Sequence, residues 1–434
     1  MARHPRYIKG QIVVSVKADA FLAHIGRAAH RKSLSDLPEQ LSAPLAALCR
    51  DGATRSASAV AADGEKPVRG RERAIVQALA QSAAASDSPE LQGMMVLSID
   101  KEADAEELAG RMKSEPAFDF VEPFPARWPA ATALHAAHDP RRNLQWNLRA
   151  VDWFRADLPD ASSVAVAVLD TGVDAAHPQL QGRIRMYDHR GSKPDDLVGH
   201  GTHIAGVIAA RHRHDVPMVG LTNCLLDIWK VYTDPKPQDS GVYVDADLYL
   251  RALRMIEKSD IRIVNLSLGG TERSDAERLL FRRLIDRGTV VVASMGNEGE
   301  AGNPIEFPGA YHGVVSVGAV GEDLRRAPIS NTGRHIDVMA PGMNILSTVP
   351  LKPSRLRRQT DLASANGTSV ATAHVAAAIA MMHARDGVRD VSDVRDRLCR
   401  TSTRLAEMGD RKRTITEGCG LLNLRKLFGS RDDE

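Results

Sequence analysis

Several things are scarce in this chain of 434 residues, and each scarcity excludes a class of protein. Net charge is only +2, so no global basic or acidic excess points to nucleic acid or to a membrane surface. Arg355-Leu356-Arg357-Arg358 and Arg411-Lys412-Arg413 are short enough to read as solvated loop charge. No apolar run reaches the roughly 20 residues that a membrane span needs. The first ten residues, Met1 to Gly10, lack the apolar stretch of a secretory signal. The four cysteines, Cys49, Cys224, Cys399 and Cys419, are scattered with no Cys-x-x-Cys pair, weak grounds for a disulfide framework or a zinc site. These absences together favour a cytoplasmic setting, or a secreted one if a leader has been removed. No internal repeat is visible.

What is present is ample for two domains: hydrophobic residues make up 43% and charged residues 26%. Residues 1–125 read as a small α+β unit. Gln11–Val16 and Met94–Ile99 are strand-like, Ala20–Ala29 and Asp104–Met112 helical, and Phe118–Val121 a strand stopped by Pro123 and Pro125. Residues 51–71, rich in Gly, Ala, Ser and charge, read as a flexible insertion. Residues 126–143 lack periodicity and read as a linker. From 144 to 427 the texture is α/β, and 428–434 form a charged tail. Short apolar runs at Val164–Leu169, Ile261–Leu266, Val290–Ala293 and Val314–Val317 suit buried parallel strands. Helical stretches at His203–Arg211, Asp247–Lys258 and Asp275–Asp286 alternate with them. The expected fold is a doubly wound, mostly parallel sheet flanked by helices.

Ligands of such sheets collect beyond the carboxyl ends of the strands, and three polar signatures fall there. Val168-Leu169-Asp170-Thr171-Gly172 runs a strand into an acid and a Gly turn. Gly199-His200-Gly201-Thr202-His203 puts a His just before a helix of small residues. Asn366-Gly367-Thr368-Ser369-Val370-Ala371 puts a Ser at the start of an Ala-rich helix. Taken singly, each is ordinary, since acids end strands, His occupies caps and Ser begins helices. Jointly they give acid, base and nucleophile in one chain order.

These segments resemble the Asp, His and Ser signatures of the subtilisin-like serine peptidases, and the similarity extends over nearly all of the second domain. The resemblance implies a serine endopeptidase acting on polypeptide through an acyl-enzyme. Ser369 would be the nucleophile, His200 the general base and then acid, and Asp170 the group that orients the imidazole. Ala293-Ser294-Met295-Gly296-Asn297-Glu298-Gly299 is similar to the family's oxyanion segment, with Asn297 as donor. Ser267, Leu268, Gly269 and Gly270 are similar to the strand that pairs with extended substrate, Gly241 to the start of the opposite wall, and Ser294 and Met295 to the lining of the first specificity pocket. His203 and His374 match structural positions, and His212 and His214 read as loop residues rather than metal ligands.

The chain departs from the family pattern in two places. Ala373 stands where a Pro is usual, a change that the first turns of a helix tolerate. Gln179 and the basic loop Arg211–Val216 stand where many relatives bind calcium, so that site is expected to be absent and no cofactor is required. Residues up to about 125 resemble, more loosely, an inhibitory propeptide that would chaperone and cover the protease. The rival readings are a catalytically silent peptide-binding module on the same fold and an α/β-hydrolase esterase. The second would want Gly-x-Ser-x-Gly and the order Ser, acid, His, neither of which is present.

Overall fold

The fold comes from a computed structural model that describes residues 4–431 except 52–53, 61–67, 87, 130–131, 136–144, 191, 214–215, 217, 235–240, 353 and 355–360. The whole Arg355–Arg358 run, His214 and parts of the 51–71 and 126–143 segments therefore lie outside the described residues. The chain divides into two compact units. One comprises residues 1–126, 245–258 and 272–280, and the other comprises 127–244, 259–271 and 281–434.

The first unit is an antiparallel five-stranded sheet in the order Val68–Arg69, Ser56–Ala59, Met94–Ser98, Tyr7–Val16, Phe118–Pro125. Alternation along Tyr7–Val16 places Ile12, Val14 and Val16 in a core shared with Leu41, Leu45 and Leu79 of the helices. Asp104 caps the helix Ala105–Met112 by accepting the Glu107 N–H at 3.0 Å. Three local expectations are corrected. The segment read as a flexible insertion supplies Ser56–Ala59, an inner strand whose small side chains, Ala57 and Ala59, are buried. The strand from Phe118 runs on through Pro123 to Pro125 because it lies at the sheet edge, where a missing N–H costs no ladder bond. The helix read over Ala20–Ala29 breaks into Ala18–Phe21 and Ile25–Arg31.

Two helix starts of this unit are capped by side chains from its own strands. Gln11 accepts the Ala246 N–H at 3.0 Å through Oε1, and its amide donates to Asp245 Oδ2 at 2.9 Å. Glu122 accepts from Ser274 Oγ at 2.7 Å and from the N–H groups of Asp275 and Ala276 at 2.9 and 3.2 Å. These are first-turn donors with no intrahelical partner, so a carboxylate there meets both the free N–H groups and the positive end of the helix.

The second unit is built on a seven-stranded parallel sheet in the order Val338–Pro341, Val315–Val320, Val290–Ser294, Ile263–Leu266, Ala165–Asp170, Leu225–Lys230, Ile184–Asp188. The apolar runs expected as strands are there. Leu225–Lys230 escaped the run-based reading because Asp227 interrupts it. Asp227 is nevertheless buried and bonded by Arg185 through two N–H groups at 2.8 and 2.6 Å. Strand order reverses between Ala165–Asp170 and Ile263–Leu266, which opens the crevice of a doubly wound sheet between their carboxyl ends.

The helices His200–Ala209 and Thr368–Asp386 are buried, the first along its whole length and the second from Thr368 to Met382. Their Gly and Ala residues allow this, since a Cβ at Gly206 would come within 2.2 Å of Thr348 Oγ1. The linker is more regular than expected. Trp128–Pro129 pairs antiparallel with Leu268–Gly269, and Thr132–His135 pairs with Leu362–Asn366. The tail is likewise held at its start, because Phe428 is buried and Ser430 bridges Ala156. Cys399 and Cys419 form a disulfide that their spacing did not reveal. Such bonds persist mainly in oxidising compartments, so this one lends no support to the reducing setting inferred from scattered cysteines. Among the described residues, no helix is long and apolar enough to cross a membrane.

Candidate active site

Asp170 ends its strand at the crevice with a side chain only 1% exposed. Its Oδ1 accepts from His200 Nδ1 at 2.7 Å and from the Thr171 N–H at 2.7 Å. A carboxylate can only accept, so Nδ1 carries a proton in this contact and Nε2 is the nitrogen turned away from Asp170. Close approach at this point depends on glycine: a Cβ on Gly201 would fall 2.0 Å from Gly172 O. Gly199, at φ +93°, supplies the left-handed turn that starts the helix.

The residue that ties strand end to helix start is Asp196, which the sequence reading missed. Buried to 2% exposure, it accepts from Thr171 Oγ1 at 2.9 Å, Gly199 N at 2.7 Å, Thr202 N at 2.9 Å and Thr202 Oγ1 at 2.7 Å. Thr171 Oγ1 in turn accepts the Gly201 N–H at 2.9 Å. An Asp four residues before the His, in a polar loop, carried no distinguishing sequence signal.

Ser369 is fully buried at the second position of its helix. Its Oγ and His200 Nε2 are both buried side-chain atoms without a hydrogen-bond partner. Asp170 Oδ2 is buried without a partner as well; buried polar atoms are nearly always satisfied, and the open nitrogen and hydroxyl suit a reacting group that binds transiently. The backbone carbonyl of Ser369 accepts from Ser267 Oγ at 2.9 Å, and Ser267 Oγ accepts from Asn265 Nδ2 at 2.9 Å. The strand Leu268–Gly269 is thereby anchored beside the serine.

Asn297 Oδ1 accepts from Thr368 N at 2.9 Å and Thr368 Oγ1 at 3.0 Å. A backbone N–H fixes which end of the amide is oxygen, so the Nδ2 donor faces away from Thr368. The other expected residues fall as follows. Leu268 is fully buried, and its carbonyl accepts from Ser294 Oγ at 3.0 Å. Gly270 forms a two-bond bridge with Phe307. Met295, expected on the pocket lining, sits in the hydrophobic core with its sulfur 2.8 Å from Ser316 Oγ. Gly241 follows residues outside the described set, and a Cβ on it would come 2.6 Å from the Tyr243 hydroxyl.

His203 and His374 are structural. His203 Nε2 bonds Ile345 O at 3.0 Å, and burial brings its pKa down to about 3. His374 donates from Nδ1 to Val370 O at 2.9 Å and accepts from Asn147 at Nε2, with burial lowering its pKa to about 4. The Gln179 amide donates to Met218 O at 2.8 Å. Among the described residues, no group of three or more His, Cys, Asp or Glu is placed to hold a metal ion.

A buried acid–imidazole pair, a serine at a helix start and a fixed amide at a sheet crevice make up a candidate nucleophilic site. Residues 161–420 match the Subtilase family, and the chain belongs to that family. It is 33% identical over 269 residues to subtilisin amylosacchariticus of Bacillus subtilis subsp. amylosacchariticus, covering 61% of this chain and 65% of that protein. Subtilisin of Bacillus pumilus is 33% identical over 269 residues, with 61% of this chain and 90% of the relative covered. The matched region thus spans less than two thirds of the length of the first relative and most of the second. Among solved structures, fervidolysin from Fervidobacterium pennivorans superposes with a TM-score of 0.70 at 19% identity, covering 99% of this chain and 62% of that one. That likeness shows the fold.

Proposed function

We propose that this protein is a serine endopeptidase that cleaves polypeptide through an acyl-enzyme, held latent by its N-terminal segment. The observation that carries the reading is the 2.7 Å pair of Asp170 and His200 together with the unpartnered Nε2 of His200 and Oγ of Ser369. In this reading Nε2 takes the Ser369 proton as Oγ attacks the scissile carbonyl, then returns it to the leaving amine. Asp170 keeps its charge, fixes the tautomer and stabilises the imidazolium. The oxyanion meets Asn297 Nδ2 and the N–H groups at the start of the Thr368 helix. No metal or cofactor enters these steps.

Latency is supported by the antiparallel pairing of Trp128–Pro129 with Leu268–Gly269. An extended segment of the chain's own backbone there uses the edge that would receive a substrate strand. Residues up to about 125 act, in this reading, as the inhibitor and chaperone of the rest.

The test treats purified protein with a fluorophosphonate probe alongside Ser369→Ala and then assays casein and a simple ester. Labelling confined to Ser369, with casein cleavage, is expected. Absence of labelling would point to a silent peptide-binding module, and ester turnover without peptide cleavage would point to an esterase. Adding residues 1–125 as a separate fragment to activated protein should inhibit it, and unchanged hydrolysis would sink the latency claim.

A further inference from the structure

The mechanism uses no carboxylate other than Asp170, with Asp196 as its tie, yet a further buried acid stands at the same crevice. Glu306 is only 1% exposed. One oxygen, Oε1, accepts from Asn331 Nδ2 at 3.0 Å, while Oε2 is buried with no hydrogen-bond partner. Its position is defined by two glycines of the site. A Cβ built on Gly269 would come 2.2 Å from Oε2, and one on Gly296 would come 2.1 Å from Oε1. The carboxyl group therefore lies between the Leu268–Gly269 strand and the Gly296–Asn297 turn.

Both walls lead to the nucleophile. Ser267, at the head of the strand, bonds the carbonyl of Ser369. Gly296 N donates to Thr368 Oγ1 at 3.2 Å, and Asn297 Oδ1 holds the Thr368 N–H. A substrate side chain next to the scissile carbonyl, entering between these glycine walls, meets Glu306.

The charge balance of the slot is acidic. Glu298 follows Asn297 and is half-buried, with its Oε2 accepting the Asn297 N–H at 2.9 Å. Burial pushes the Glu306 pKa well up, a side-chain hydrogen bond and charge repulsion from Glu298 push it further, and the Asn331 bond and the Arg127 charge act in the opposite sense. A buried carboxylate with an idle oxygen costs free energy that a packed apolar residue would not, and a cationic guest removes that cost. Asn331 donates to Oε1, and no donor reaches Oε2.

We propose that Glu306, seated between Gly269 and Gly296, makes the pocket beside Ser369 select Arg or Lys as the residue preceding the scissile bond. This deepens the peptidase reading and rests on it. A charge-assisted bond from a guanidinium or ammonium to Glu306 Oε2 is worth about 10–100-fold in selection over a neutral side chain.

The experiment takes the full chain, incubated until casein hydrolysis is steady, and measures kcat/KM on fluorogenic tetrapeptides that differ only in that residue: Arg, Lys, Phe or Leu. Cleavage sites in casein are mapped in parallel by mass spectrometry. The expected result is a preference of about 10–100-fold for Arg and Lys over Phe and Leu, with casein cut after basic residues. Glu306→Gln should reduce the Arg-to-Phe ratio by about the same factor, mostly through KM. Equal or better turnover of Phe or Leu by active wild-type protein overturns the proposal while leaving the peptidase reading intact. An unchanged ratio in a folded Glu306→Gln variant overturns it too, and the wild-type ratio decides the matter if that variant does not fold. Failure of fluorophosphonate labelling and of hydrolysis of every substrate removes the peptidase reading, and this proposal with it.

Discussion

Replacing Asp196 by Asn should damage the protein far more than its loop position suggests. Asp196 Oδ1 serves Thr171 Oγ1 and Gly199 N, and Oδ2 serves the N–H and hydroxyl of Thr202. An Asn offers one acceptor oxygen, so in either orientation its NH2 group faces a buried backbone N–H, that of Gly199 or that of Thr202. Leaving that donor unsatisfied costs about 1–3 kcal/mol. Converting the remaining bonds from charge-assisted to neutral adds roughly another 1–2 kcal/mol. A total of about 3 kcal/mol corresponds to a fall in apparent Tm of about 6–12 °C for a domain of this size. The helix start that carries His200 loses its tie to the Asp170 strand, so kcat/KM should drop by at least about tenfold through misorientation of the imidazole.

The control is the neighbouring residue. Asp195 pairs with Lys352 at 2.7 Å, but the side chains are 36% and 72% exposed. Such surface pairs contribute about 0–1 kcal/mol, so Asp195→Asn should shift Tm by no more than about 4 °C. Differential scanning fluorimetry and peptide hydrolysis on both variants give the comparison. Equal shifts for the two would refute the assignment of Asp196 as the tie between strand and helix.

Three further outcomes follow from the geometry. Asn297→Ala should lower kcat by about 10²–10³, the size known for the oxyanion amide of subtilisin itself, with KM little changed; a loss in KM alone would remove it from that role. Burial raises the Glu122 pKa to about 7, so the folded state holds that proton more tightly than the unfolded chain. The associated stability is complete below about pH 4.5 and is lost as pH rises through about 7, by roughly 3 kcal/mol; the Tm of wild type relative to Glu122→Gln should fall over that range, and a rise would contradict it. Chelation by EDTA should leave Tm within about 1 °C of its starting value, because Gln179 and a basic loop occupy the calcium position expected from the family; a large chelator-dependent fall, reversed by calcium, would show a site.

The alternation of Val-rich runs and helical stretches made the parallel sheet legible, because buried parallel strands read as continuous apolar segments whatever they pair with. Leu225–Lys230 broke that rule through Asp227, whose charge is tolerated because Arg185, remote in sequence, meets it. Ser56–Ala59 was unreadable for the opposite reason. Small residues carry little strand propensity, and only the partner Met94–Ser98 makes a strand of them.

The sequence by itself determined which residue types stand at the crevice, since Asp170, His200, Asn297 and Ser369 lie at strand ends and helix starts that the apolar pattern makes legible. Glycines at 199 and 201 were legible in the same way, although their reason is steric and local. Three matters were decided only by the tertiary structure: that Asp196 clamps the strand to the helix, that Met295 turns into the core, and that Glu306 stands between two glycines. Each depends on which groups are brought within a few ångströms by strand order and helix packing. A lone acid or a methionine in a loop looks the same in sequence whether it faces solvent, core or substrate. Burial and the count of partners, which only the folded chain fixes, separate these fates.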